Sequence, residues 1–291
     1  MRRVIYVVVI VGMLLGWFAA EPTKAMMNAT TMASCGRAFC VYLPFVARGN
    51  GNGITDPPPP IIRPTDWLGR LNSYRRAAGM DVVVNDDSMS AGNANHVNYL
   101  TLNPAAPLNH SENAGLPGHT DMGAQAAAES NLIRTVNMAV IAEDTAIDMW
   151  MESLSHRYGM LRPELNRVGF ATQCRTPSCA AALNILGGLA GDQPERSIHY
   201  PGNDEQRVIT RLISWQFFPW DDVNATLTSW SVRDHHGTVI PTTVQPSLNA
   251  YYDIVAVRSD QPLQPNTKYT VEMQVQYGGQ SLQRTWSFRT Q

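Results

Sequence analysis

The feature that most narrows what this chain can fold into is the alternation between Lys268 and Arg289. Tyr269, Val271, Met273, Val275 and Tyr277 recur every second residue, Gly278-Gly279 follows, and Leu282, Trp286 and Phe288 return. A period of two sends successive side chains to opposite faces of an extended chain, and a Gly-Gly pair accepts the positive φ of a tight turn. The stretch therefore predicts a β-hairpin with one buried face. Arg207 to Trp215, Thr226 to Val232, Thr238 to Val244 and Tyr252 to Val257 are further short strand candidates, a spacing that suits a β-sandwich from about residue 201.

Upstream the period changes to that of a helix. Ala146, Ile147, Trp150 and Leu154 make one apolar stripe, with Asp148, Glu152 and Ser155 off it, so one amphipathic helix is expected up to His156 and Arg157, short of Pro163. Asp66 or Thr65 can cap an earlier helix through Trp67, Leu68, Leu71 and Tyr74, stopped at Gly79. A second helix runs from Asp87 to the Asn103-Pro104 stop, with His96 simply a part of it. Pro107 to Asp121 reads as a loop carrying His110, Glu112 and His119, and Ala124 to Leu132 is rich in small residues that let backbones approach closely. Ala180 to Leu189, with Gly187-Gly188, reads as a strand or hairpin. Helices followed by a run of strands define an α+β chain of two modest domains, in keeping with 291 residues.

The N-terminus reads as a targeting segment. Arg2 and Arg3 precede the apolar run Val4 to Ala20, and Thr23-Lys24-Ala25 fits a cleavage site, so residues 1–25 are expected to be a secretory signal. An uncleaved anchor that keeps the protein at the cell surface is the competing reading. Residues 26–61, with their Gly-Asn repeats and Pro57 to Pro60, read as a linker. Cys35 with Cys40 and Cys174 with Cys179 form two close pairs, for which two local disulfides in an oxidising compartment are the simplest pairing, with a four-cysteine zinc site as a minor alternative. A net charge of −2, with no lysine or arginine run, argues against a nucleic-acid partner. No span is expected after signal cleavage.

Several short motifs then fall into an ordered series. Leu71-Asn72-x-Tyr74-Arg75, Met89 to His96, Leu108-Asn109-His110, Ser130-Asn131-Leu132, Trp150-x-x-Ser153-x-x-His156-Arg157, Pro163 and Val168-Gly169-Phe170 follow one another between Asp66 and Ala171. The series resembles the CAP superfamily of cysteine-rich secretory, antigen 5 and pathogenesis-related 1 proteins, and within it the bacterial SCP-like secreted branch. The resemblance implies an α-β-α sandwich over residues 62–200 and a cleft lined by two histidines and two acids able to hold a divalent metal such as zinc, magnesium or calcium. The histidines carry over to His110 and His156. The acids do not carry over directly: Ser130 stands at one position with Glu129 beside it, and Ser153 at the other with Glu152 beside it. A firm zinc site takes three or four protein ligands, of which the two histidines supply only half, so a metal is held only if the backbone turns Glu112 or Glu129 to complete the set. Residues 201–291 resemble bacterial immunoglobulin-like modules through Pro262-Leu263-x-Pro265-x-Thr267-x-Tyr269 and Trp286-x-Phe288-x-Thr290.

No His-Glu-x-x-His, Gly-x-Ser-x-Gly or Walker loop is present. The leading expectation is a secreted, non-enzymatic binder of a small molecule, lipid or cell-envelope component through a cleft between His110, Ser130 and His156, with Glu112, Glu129 and Ser153 as further candidates to line it. A metal-dependent hydrolase using His110 and His156, with Glu112 or Glu129 as base, is the first alternative. A structural or adhesive surface protein is the second.

Overall fold

The computed structural model describes residues 63–191, 195–219, 224–246, 248 and 252–291. The expected signal, the linker and the pair Cys35 and Cys40 lie outside the described residues. Among the described residues, no helix is long and apolar enough to cross a membrane.

Helix α1 (Trp67–Ala77) starts where the Asp66 carboxylate accepts from the Gly69 N–H, and it ends before Gly79 at φ +74°. After β1 (Val84–Asn85), helix α2 (Asp87–Leu102) begins at Asp86, whose side chain accepts from the Ser88 and Met89 amides. Helix α3 (Asp121–Glu129) is capped by Thr120 and runs directly into β2 (Ser130–Val136). Helices α4 (Glu143–Met151) and α5 (Leu154–Met160) follow, then β3 (Arg167–Arg175) and β4 (Ser178–Asn184).

These four strands form one sheet in the order β1-β3-β4-β2, antiparallel except where the short β1 runs parallel to β3. Strand β4 shows why the sheet needs helices on both faces. Ala180 and Ala182 pack with Val97, Tyr99 and Leu100 of α2, while Ala181 and Leu183 join Leu71, Ile147, Trp150 and Phe170 on the other side. Gly169 on β3 lets α2 come this close, because a Cβ there would stand 2.4 Å from the Met89 backbone. Cys174 and Cys179, directly opposite each other across the β3–β4 pair, are disulfide-bonded.

The remaining strands are β5 (Arg196–Tyr200), β6 (Glu205–Val208), β7 (Leu212–Phe218), β8 (Thr226–Asp234), β9 (Thr242–Val244), β10 (Ile254–Ser259), β11 (Lys268–Tyr277) and β12 (Gln280–Thr290). They build two four-stranded sheets, β5-β7-β10-β9 and β6-β12-β11-β8, which enclose Trp215, Phe217, Val257, Met273 and Trp286. The hairpin turns at Gly278-Gly279, with Tyr277 paired to Gln280 as the alternation predicts.

Strand β7 at the middle of the first of these sheets is buried on both faces. Ile213, Trp215 and Phe217 of β7 face the partner sheet, whereas Phe218, with Ile198, Tyr200 and Ile254, joins the cluster built around Trp150 and Tyr158. Pro59–Gln291 is accordingly one compact unit. This shared core also corrects two sequence expectations. The expected strand from Arg207 to Trp215 is two strands in different sheets, with Thr210 between them. The expected single helix from Ala146 to Arg157 breaks at Ser153, which is extended at φ −115°, ψ 129°. Arg258 of β10 explains the break: it donates to both the carbonyl and the carboxylate of Glu152, taking up a helix-end acceptor that an unbroken helix would have used itself.

Candidate functional site

The break redirects α5 so that adjacent side chains face different neighbours. Arg157 points towards the C-terminal sheets: its guanidinium donates back to the Met151 carbonyl at the end of α4 and onward to the Leu212 carbonyl and the Ser214 and Thr210 hydroxyls, and lies 4.8 Å from the centre of the Tyr200 ring. Tyr158 donates to the Phe217 carbonyl over 3.0 Å. His156, one residue earlier, faces an open cleft of about 360 Å³.

That cleft is lined by His110, Glu129, Ser130 and His156 from the sequence-derived set, together with Asn131, Ser155, Tyr158, Arg162, Ile185, Leu186 and Tyr252. His110 is fixed by its Nδ1, which donates to the Ala127 carbonyl over 2.9 Å, so in the neutral ring Nε2 keeps its lone pair free for the cleft. Burial, then the nearby His110, holds His156 below the usual histidine range, so it is uncharged at neutral pH.

The remaining expected residues are placed differently. The Glu129 carboxylate accepts from the Gln125 and Asn184 amides, and it also borders a second cleft on the far side, beside Met89 and Met122. The Ser130 hydroxyl donates to Asn93, whose own amide donates to the Gly169 and Ala182 carbonyls, so Ser130 is tied to the sheet rather than free as a nucleophile. Ser153, expected at the cleft, does not line it; its hydroxyl lies 3.3 Å from that of Ser155, which does. Glu112, expected beside His110 as a ligand or base, turns instead to His96 of α2, with 2.9 Å between Oε1 and Nδ1 and both side chains fully buried. Its second oxygen accepts from the Thr120 amide. A buried carboxylate needs such donors.

The metal expectation can be tested on this donor set. Among the described residues, no three His, Cys, Asp or Glu side chains gather closely enough to hold a metal ion. His110 and His156 alone do not make a firm zinc site.

Sequence reasoning missed the pair of His96 and Glu112, and it missed Tyr252, which comes from the segment before β10 and sets its ring, tilted, 4.8 Å from that of Tyr158. The local signal for the first was two histidines and a glutamate within seventeen residues, but nothing in that spacing says which histidine the glutamate chooses.

The mixed sheet is covered by helices on both faces, and two histidines, one from a loop and one from a short helix, meet at one cleft beside it. Residues 68–181 match the family profile described as "CAP: Cysteine-rich secretory protein family", and this part of the chain is a CAP domain. No curated protein sequence matches the chain. Among solved structures, an outer surface protein from Borrelia burgdorferi aligns at 14% identity over 40% of this chain and 87% of its own length, with a TM-score of 0.29. That degree of likeness adds nothing to the assignment.

Proposed function

We propose that the protein is a secreted CAP-domain binding protein, and that the cleft between His110 and His156 takes a small polar molecule with an apolar face, as a cell-envelope saccharide or a lipid head region presents. The observation that carries this reading is the cleft's composition. Imidazole, amide and hydroxyl groups stand opposite Tyr252, Ile185 and Leu186, a mixture suited to orienting a ligand. A non-enzymatic role is supported by the commitments of the hydroxyls: Ser130 is bonded to Asn93, and Ser153 and Ser155 to each other, so none of these three is paired with a histidine base. The C-terminal sheets then serve as an immunoglobulin-like module that supplies Tyr252 and anchors α5 through Arg157.

Calorimetric titration with N,N′-diacetylchitobiose and with lysophosphatidylglycerol tests the proposal. The expected result is saturable binding of at least one probe, weakened about tenfold or more in His156→Asn, a loss on the scale of one or two hydrogen bonds. Binding that His156→Asn and Tyr252→Ala both leave intact would refute the assignment of this cleft.

A further inference from the structure

We infer that a separate cleft of about 480 Å³, between the α4–α5 break and the C-terminal sheets, is a site for an amphipathic carboxylate. It shares no lining residue with the cleft of His110 and His156. Its charged side chains are Arg211, Arg258 and Glu152, and Gln291, the last residue of the sequence, lines it as well.

The two arginines are not equivalent. Arg258 is occupied, donating to the Glu152 carboxylate at 3.3 Å and to the Glu152 carbonyl at 3.2 Å. Arg211, partly buried in the same wall, has no ion-pair or side-chain hydrogen-bond partner among the described residues. A guanidinium always carries its charge and presents a planar fork of donors matched to a carboxylate, so Arg211 is the cation left to recognise an anion.

The rest of the lining selects what that anion is attached to. Val208, Ile209, Leu263 and Pro265 line the same cleft, and Ile209 leaves 47% of its surface in water, although an isoleucine gains by being covered. A bare inorganic anion would satisfy Arg211 and leave these groups wet. An uncharged alcohol would cover them and leave Arg211 unpaired. A carboxylate on an aliphatic body does both, with its head on Arg211 and its chain over Ile209 and Leu263. The cleft's volume falls within the usual range for small-ligand sites, about 300–1,000 Å³.

Titration of the folded protein with hexanoate, hexanol and inorganic phosphate tests the inference. Hexanoate is expected to bind with one-to-one stoichiometry, hexanol about tenfold more weakly or worse, and phosphate not to displace hexanoate. Arg211→Gln should weaken hexanoate about tenfold with an unchanged unfolding midpoint, since this guanidinium holds no structural contact. Glu152→Gln should tighten it, because the carboxylate competing for Arg258 is gone, while His156→Asn should leave it unaltered. Equal affinity for hexanol, displacement by phosphate, retention of hexanoate by Arg211→Gln, or no binding at all would each overturn the assignment.

Discussion

Arg157 of α5 donates to the Ser214 hydroxyl of β7 over 3.0 Å, and both residues are fully buried. The contact joins the CAP domain to the C-terminal sheets at the residue after His156. The wall of the candidate cleft is therefore held from behind by another part of the chain. Tyr158 bonded to Phe217, and Arg258 bonded to Glu152, act in the same sense on either side.

Replacing Arg157 by methionine keeps much of the apolar stem but leaves the Met151 carbonyl and the Ser214 hydroxyl without their Arg157 donor, while the Leu212 carbonyl keeps the Thr210 hydroxyl. The expected loss is about 2–4 kcal/mol, since each buried acceptor left bare costs about 1–3 kcal/mol. Urea unfolding followed by both tryptophan fluorescence and far-ultraviolet circular dichroism checks it. The two probes should still give one transition, because the core around Trp150 and Tyr158 includes Ile198, Tyr200, Phe218 and Ile254 of the C-terminal strands.

The pair of His96 and Glu112 clamps the loop that carries His110 onto α2. Glu112→Ala should cost about 1–3 kcal/mol and open the 107–120 loop to proteolysis. In wild-type protein burial lowers the His96 pKa and Glu112 raises it, so burial is the larger effect. In Glu112→Gln the His96 pKa should therefore move lower still, readable from its imidazole resonance. A pKa that rises in this variant would contradict the pairing.

Two buried groups give opposite slopes of stability against pH. His199, packed 4.7 Å from the Trp286 ring, is pushed down to about 4 by burial and then by Arg284. The unfolded chain binds the extra proton between about 6.5 and 4, so this group loses stability as pH falls through that window. Glu205 is pushed up to about 7 by burial, against the opposing Gly202 N–H. The folded chain binds the extra proton between about 4.5 and 7, so this group gains stability as pH falls and loses it as pH rises towards 7. Glu205→Gln should thus steepen the loss of stability on acidification between pH 6.5 and 4.5, measured by urea midpoints. An identical pH profile in the variant would show that Glu205 titrates normally.

The parts of the fold that were legible in the sequence are those governed by local rules. Asp66 and Gly79 bracket α1, Asn103 ends α2, and Gly278-Gly279 turns the hairpin, each through a cap or a positive φ that a few neighbouring residues decide. Cys174 and Cys179 pair as expected, because strands joined by so short a turn place them face to face. What was not legible depends on contacts far along the chain. The kink at Ser153 comes with Arg258, 106 residues from Glu152. The split at Thr210 reflects the membership of two sheets, and strand β7 is buried along its whole length, Ser214 and Gln216 included, because the helices cover one face and the partner sheet the other. At the site, His110 and His156 were found through the motif order, whereas the turn of Glu112 towards His96 depends on which partner burial makes available.

The most direct measurement of the central claim, that His110 and His156 belong to one ligand cleft, follows both imidazole Hε1 resonances during titration with whichever of N,N′-diacetylchitobiose or lysophosphatidylglycerol binds. The two signals should move along the same saturation curve, while His96 and His199, buried elsewhere, stay in place. A ligand that shifts His96 or His199 and leaves His110 and His156 unmoved would contradict the account.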